Sequence, residues 1–185
     1  MRADIPGKYE PVLLLEAGSF DQISVDIIFD PTCRGCYIFE ETFRKLKQKY
    51  GKRLKERYHI VSRLNQPDYA LRLYFVASHR GLGDRMRSAL FATQFERMRP
   101  LSKEENVVAL AQSFGLAQVY ESEKNSAAIN EQISDARRFA KQLKLNYFPS
   151  VVIERSILAE PSSDNLSAIF DHLLRTRPDH AVTRK

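Results

Sequence analysis

Apolar positions along this chain follow two periods, and the switch between them marks out its elements. "ISVDIIF" (23–29) becomes nearly continuously apolar at its end, which predicts a strand buried on both faces. "PVLLLE" (11–16), "YHIVSRL" (58–64), "SVVIE" (150–154) and "SILA" (156–159) read as further strands. Asp30-Pro31-Thr32 breaks the 23–29 strand, because Pro31 cannot donate to a ladder and Thr32 offers an N-cap. From Cys33 to about Tyr50, Phe39, Phe43, Leu46 and Tyr50 recur at helical spacing. One turn further back the same stripe reaches Cys36, which is therefore expected to face inward.

A long helical stretch is predicted from about Asp68 to Leu145. Asp68 caps its first helix and Gly81 stops it. "GDRMRSALFATQFERM" (83–98) is the next, closed by Pro100. Ser102 and Glu105 have capping-box spacing before a helix that ends at Gly115. Asn125 or Ser126 caps another over 125–145, and "SDNLSAIFDHLLR" (163–175) forms a terminal helix. The aromatics of the block (Tyr69, Tyr74, Phe75, Phe91, Phe95, Phe114) recur at helical spacing, which favours core packing over a groove lining.

Composition adds limits. The 185 residues, 43% hydrophobic and 28% charged, suit one sizeable globular domain or a domain with a large insertion. No run approaches the roughly 18–20 apolar residues of a membrane span. "VLLL" (12–15) is shorter than the about 7–15 apolar residues of a signal-peptide core. The expectation is a cytosolic chain or a mature form without its leader. The net charge of +6 owes much to residues 44–57, where eight Lys/Arg face Glu56 alone. Without a stacking platform, helix-turn-helix signal or Cys/His finger, this basic stretch reads as a solvated helix face and not as a nucleic-acid surface.

The chemistry centres on the chain's two cysteines, Cys33 and Cys36, separated by Arg34-Gly35. A disulfide across so short a loop removes little chain entropy, so a purely structural staple is a weak reading. A structural zinc site would need four ligands, and the four scattered histidines supply no second pair, so no metal site is assigned. Two thiolates could hold Cu(I), which stays an open alternative. The redox reading rests on placement. Cys33 falls at the first turn of a helix, where unpaired N–H groups and the helix dipole favour thiolate. Cys36 lies about one turn on, within reach to attack a mixed disulfide at Cys33.

A C-x-x-C after a buried strand and before an amphipathic helix resembles the thioredoxin superfamily. The helical block and the later "YFPSVV" resemble its DsbA branch, since Pro149 lies 113 residues after Cys36. The resemblance implies an α/β thioredoxin fold with a large inserted helical subdomain. Its expected boundaries are 1–65 and 146–185 for the thioredoxin-like domain and 66–145 for the insertion. It implies a cis-proline at Pro149, opening the strand beside the cysteines, with Phe148 bordering a groove where a substrate peptide pairs strand-like. The implied activity is thiol–disulfide exchange with protein substrates, catalysed by Cys33 and Cys36 without a cofactor and recycled by a redox partner protein. Phe148, Pro149 and Arg34 are the expected substrate-binding residues. Oxidase is the preferred direction over reductase or isomerase, and the implied location is the periplasm, with the cytoplasm open. A peptide-binding chaperone on the same fold is the alternative from another class. The best-known DsbA pattern has proline and histidine where this chain has Arg34 and Gly35. Losing the histidine removes a donor to the thiolate, Asp30 opposes ionisation and Arg34 restores some positive potential, so a milder oxidant is expected.

Overall fold

The computed structural model describes residues 5–12, 22–62, 66–145 and 147–176. Five strands form one sheet: β1 (Tyr9–Pro11), β2 (Ile23–Phe29), β3 (Leu54–Ile60), β4 (Ser150–Ile153) and β5 (Ile157–Ala159), in the order β1-β5-β4-β2-β3. β5 pairs antiparallel with β1, where Tyr9 faces Ala159, and with β4, where Val151 faces Ala159. All seven β2 residues are buried, as the apolar run predicts. Of the strand expected at 11–16, Leu13–Glu16 lie outside the described residues, and the first strand found is the preceding Tyr9–Pro11. The strand expected at 58–64 begins earlier, at Leu54. It takes in the charged "LKER" because β3 is an edge strand, and an edge tolerates charged side chains.

α1 (Arg34–Tyr50) carries the expected stripe: Cys36, Phe39, Phe43, Leu46 and Tyr50 are all buried. A 3-10 turn at Gly51–Arg53 leads from it into β3. The helical stretch comprises α2 (Tyr69–Ser78), α3 (Gly83–Phe91), α4 (Glu104–Ser113), α5 (Ala117–Glu123) and α6 (Ala127–Gln142), and α7 (Ser163–Thr176) ends the described chain. Gly81 stops α2 with φ +71°, the left-handed region a glycine enters without steric cost, and Leu82 N–H closes back to the Ala77 carbonyl at 3.0 Å. α3 does not continue to Met98 but widens into a π turn over Ala92–Glu96. The capping box of Ser102 and Glu105 does not form. Lys103 is the N-cap of α4, and its own N–H turns back to the Pro100 carbonyl. Asp68 precedes α2 without capping it, since its carboxylate is held by Ser62 and Arg137 instead. Ser126 does cap α6, accepting from Ile129 N–H at 3.3 Å.

The chain divides into two compact units. One comprises Met1–Ile27, Glu41–Arg57 and Ser150–Lys185. Its interior holds Ile23, Val25, Phe43, Leu46, Val152, Leu166 and Phe170, and Tyr50 packs edge-on to Phe170 while donating to Asp171 at 2.8 Å. Asp26, fully buried on β2, accepts both oxygens' worth of bonds from Arg57 (2.8 and 2.9 Å), and Arg155 approaches to 3.5 Å. The β4–β5 turn holds Glu154 and Arg155 at positive φ (51° and 49°). Glu154 bridges to the Ser24 backbone through its own N–H and its carboxylate, contacts that fix an arrangement non-glycine residues rarely adopt. Lys47 pairs with Glu56 in this unit, so the basic stretch is partly neutralised from within.

The other unit comprises Ile28–Glu40 and Tyr58–Pro149. Phe29, Cys33, Cys36, Leu71, Tyr74, Met86, Phe91, Leu110 and Ile129 belong to its apolar cluster, with Tyr69, Phe75, Phe95, Phe114 and Phe148 packed against it. The block's aromatics are thus mainly core. Both cysteines and the Phe148–Pro149 step lie in this second unit.

Candidate functional site

Cys33 occupies the N-cap position of α1. Its carbonyl accepts from Tyr37 N–H at 3.1 Å, and its own N–H donates to the Asp30 carbonyl at 3.0 Å. Asp30 organises this turn in place of the expected Thr32 cap. Its Oδ1 accepts from both the N–H and the hydroxyl of Thr32 at 2.7 Å, an Asx turn that aims the chain into the helix. Thr32 stands one residue before the N-cap position that Cys33 takes, and its hydroxyl donates to Asp30.

The Cys33 thiol lies 3.4 Å from the Phe148 carbonyl oxygen, to which its S–H donates. The Phe148–Pro149 peptide is cis, with Pro149 buried and Phe148 half-buried. Gly35 faces the same peptide. A β-carbon there would sit 3.5 Å from the Phe148 oxygen, 3.6 Å from Pro149 Cδ and 3.7 Å from Cys33 Sγ. The dipeptide between the cysteines therefore places no side chain over the sulfur from that position.

Both cysteines are free thiols in this structure. They differ in surroundings: Cys33 is 6% exposed beside exposed Arg34 and Gly35, whereas Cys36 is 2% exposed. Burial pushes the Cys36 thiol well above its ordinary range. A backbone hydrogen bond from Asp30 opposes this, while neighbouring Cys33 and the Asp30 charge add to it. Cys36 therefore keeps its proton near neutrality.

Arg34 extends outward, its guanidinium 5.9 Å from the centre of the Phe95 ring. Tyr37 stacks on the same ring at 5.1 Å and donates its hydroxyl to Glu96 at 3.1 Å. That hydrogen bond raises the Tyr37 pKa, with a small opposing effect from Arg34. Tyr37 and Glu96, which nothing in the sequence singled out, and Phe95, which its helical spacing placed in the core, are thus neighbours of the site. Tyr37 was detectable in principle, standing one turn from Arg34 on the same helix, but no local signal pairs it with the π turn. Further along α1, Glu40 receives Arg87 Nε at 3.1 and 3.0 Å on its two oxygens, and Arg87 also stands 3.6 Å over the Tyr58 ring. Among the described residues no group of three or more His, Cys, Asp and Glu is arranged to hold a metal ion.

A thioredoxin fold with an inserted helical block and a C-x-x-C dithiol at a helix start defines the class of protein. The DSBA-like thioredoxin domain model matches residues 52–173, about two thirds of the chain, and the chain belongs to that family. Family members are thiol–disulfide oxidoreductases, and this chain is an enzyme of that kind. The match begins after Cys33 and Cys36, so the dithiol comes from the chain's own sequence and geometry. The chain is similar to the oxidoreductase DsbA of Xylella fastidiosa, with TM-score 0.75 and 17% identity over 94% of this chain and 99% of that one. It is also similar to Pseudomonas aeruginosa DsbA, with TM-score 0.72 and 17% identity over 92% and 93% of the two chains. A Proteus mirabilis DsbA carrying a non-covalently bound peptide gives TM-score 0.70 and 20% identity over 94% and 98%. At these identities the likeness is one of fold. No curated protein sequence matches the chain. Among the described residues no helix is long and apolar enough to cross a membrane.

Proposed function

We propose that this chain is a disulfide-donating oxidase that acts on protein thiols, with Cys33 as the exchanging sulfur and Cys36 as its internal partner. The observation that carries this reading is the position of Cys33. It starts α1 with its sulfur against the Phe148 carbonyl, while the more deeply buried Cys36 retains a proton. In the oxidised enzyme a substrate thiolate attacks Cys33 Sγ, the Cys33–Cys36 bond breaks, and Cys36 leaves and takes up a proton. A second substrate thiolate then attacks the substrate sulfur of the mixed disulfide, the bond to Cys33 breaks, the substrate disulfide forms, and Cys33 leaves with the electron pair. The enzyme dithiol carries the two electrons until a redox partner reoxidises it.

Phe148 and Pro149 present backbone to a substrate strand beside Cys33, in the manner of strand addition, and Arg34 meets the substrate on the outer side. The peptide-bound Proteus mirabilis relative supports a peptide as the object of recognition. The bacterial DsbA relatives support a periplasmic location. The thioredoxin-like part is assigned to 1–65 and 146–185 and the insertion to 66–145. The test is the equilibrium of the Cys33–Cys36 pair with a glutathione buffer. An oxidase should stand well above the thioredoxin-type potential of about −270 mV, and below the about −120 mV of the strongest oxidants given Arg34-Gly35. A value at or below the thioredoxin-type potential would assign the chain to the reducing direction.

A further inference from the structure

Most arginines of the helical block are engaged. Arg87 is held by Glu40 and Asp84, Arg80 by Glu123, Arg137 by Asp68 and Arg138 by Asp135, and Arg72 donates to the Lys124 carbonyl and to Asn130. Arg97 and Arg99 differ. Like Arg85, which lies over the Phe114 ring, neither has a carboxylate partner among the described residues, and of these three only Arg97 and Arg99 line one cavity of about 270 Å³. Its other walls are Thr93, Asn106, Ala109, Leu110 and Ser113, so no acidic side chain lines it.

The cavity has a built backbone. The π turn of Ala92–Glu96 supplies Thr93, which is 2% exposed and whose hydroxyl lies 3.5 Å from Arg97 Nη1. The chain then folds back, with Arg97 N–H on the Ala92 carbonyl and Arg99 N–H on the Thr93 carbonyl, both at 2.9 Å. Met98 between them has φ +53°, so the two arginines are separated by a residue in a conformation rare outside glycine. Asn106 ties the far wall to this loop through the Pro100 carbonyl at 2.9 Å. π turns inside helices are frequent at functional positions.

We infer that this cavity is an anion site for a phosphate-type group, held by the Arg97 and Arg99 guanidinium groups with Thr93, Ser113 and Asn106 as polar neighbours. Two planar forks of N–H donors suit the tetrahedral oxygens of phosphate better than a single lysine would. The volume falls below the about 300–1,000 Å³ of pockets for drug-sized ligands, which fits a small oxyanion or one headgroup. Neither cysteine lines the cavity, and the inference does not rest on the oxidase reading.

The test titrates inorganic phosphate into the full chain at constant ionic strength, against chloride, and follows binding by calorimetry. Saturable heat is expected, and Arg97→Gln with Arg99→Gln together should weaken the affinity by at least about tenfold, the loss of charge-assisted hydrogen bonds. A charge-matched control, Lys52→Gln with Lys55→Gln, should leave it unchanged. Co-sedimentation with phosphatidylglycerol vesicles, against phosphatidylcholine ones, distinguishes the source. Binding to vesicles alone that is lost with the arginines assigns a lipid headgroup, and binding to inorganic phosphate assigns the free anion. Equal losses in both double variants, or no arginine-dependent binding to either probe, overturns the site.

Discussion

Replacing Arg87 with methionine tests how the first half of α1 is held to its surroundings. Arg87 is 8% exposed, bonds both oxygens of Glu40, reaches Asp84 at 2.6 Å and covers the Tyr58 ring. Methionine keeps most of the apolar stem and removes the charge. Breaking one side of a buried ion pair costs about 3–5 kcal/mol. Glu40 is 26% exposed and keeps the Ser88 hydroxyl at 3.2 Å, which brings its share below that range, to about 2 kcal/mol. The lost cation–π contact adds about 1 kcal/mol. The expected total is about 3 kcal/mol. With a urea m-value of about 2 kcal/mol/M, the unfolding midpoint should fall by about 1.5 M. Glu40→Gln should cost less, because Arg87 retains Asp84 and the ring. The double variant should cost clearly less than the two singles summed, since its second change removes a group already unpaired. Asp84→Asn should hardly move the midpoint, because that side chain is 78% exposed. A drop below about 0.5 M for Arg87→Met, or an equal drop for Asp84→Asn, would refute a buried Glu40–Arg87 pair as the holding element.

The burial difference between the thiols predicts that iodoacetamide modifies Cys33 first in the reduced enzyme, with Cys36 reacting only on unfolding. Peptide mapping after timed alkylation reads this, and equal labelling of both would refute it. In Cys36→Ala, mixed disulfides with substrate should accumulate on non-reducing gels, whereas Cys33→Ser should form none. The raised pKa values of Cys36, Tyr58 and Tyr74 set an alkaline limit, with burial the leading cause for each. The folded state holds these protons more tightly, so their contribution to stability is constant below the ordinary thiol value of 9.0 and falls as pH rises above it. Tyrosine adds to the fall from 10.0, at about 1.4 kcal/mol per pH unit for each group fully ionised when unfolded. In Cys36→Ala, chemical denaturation across pH 8–11 should show the first part of the decline removed. Arg34→Ala should slow exchange with peptides bearing an acidic residue beside the cysteine about threefold to tenfold at low salt, an effect that fades at high salt. Stopped-flow rates that are independent of peptide charge would refute that role.

Much of this protein was legible from local pattern. The apolar run of β2, the stripe from Cys36 to Tyr50, the glycine stops at Gly81 and Gly115 and the Ser126 cap all depend on neighbours within a turn or two, and the structure has them. Pro149 as the cis position came from resemblance and spacing, and the peptide is cis. Other features depend on partners far away in sequence. β3 takes in charged "LKER" because it lies at a sheet edge, a fact set by strand order and not by its own residues. Asp26 can be buried because Arg57, 31 residues away, reaches it. Arg34 meets Phe95, and Arg97 and Arg99 share a cavity, only once the π turn has formed.

The sequence by itself determined the dithiol, the helix it begins and the inward side of that helix, because periodicity and backbone chemistry are local. Tertiary structure alone decided which surfaces meet the two sulfurs. It set the Phe148 carbonyl against Cys33 from 115 residues away and enclosed Cys36 deeply enough to hold its proton, since burial and its desolvation exist only when distant segments pack together.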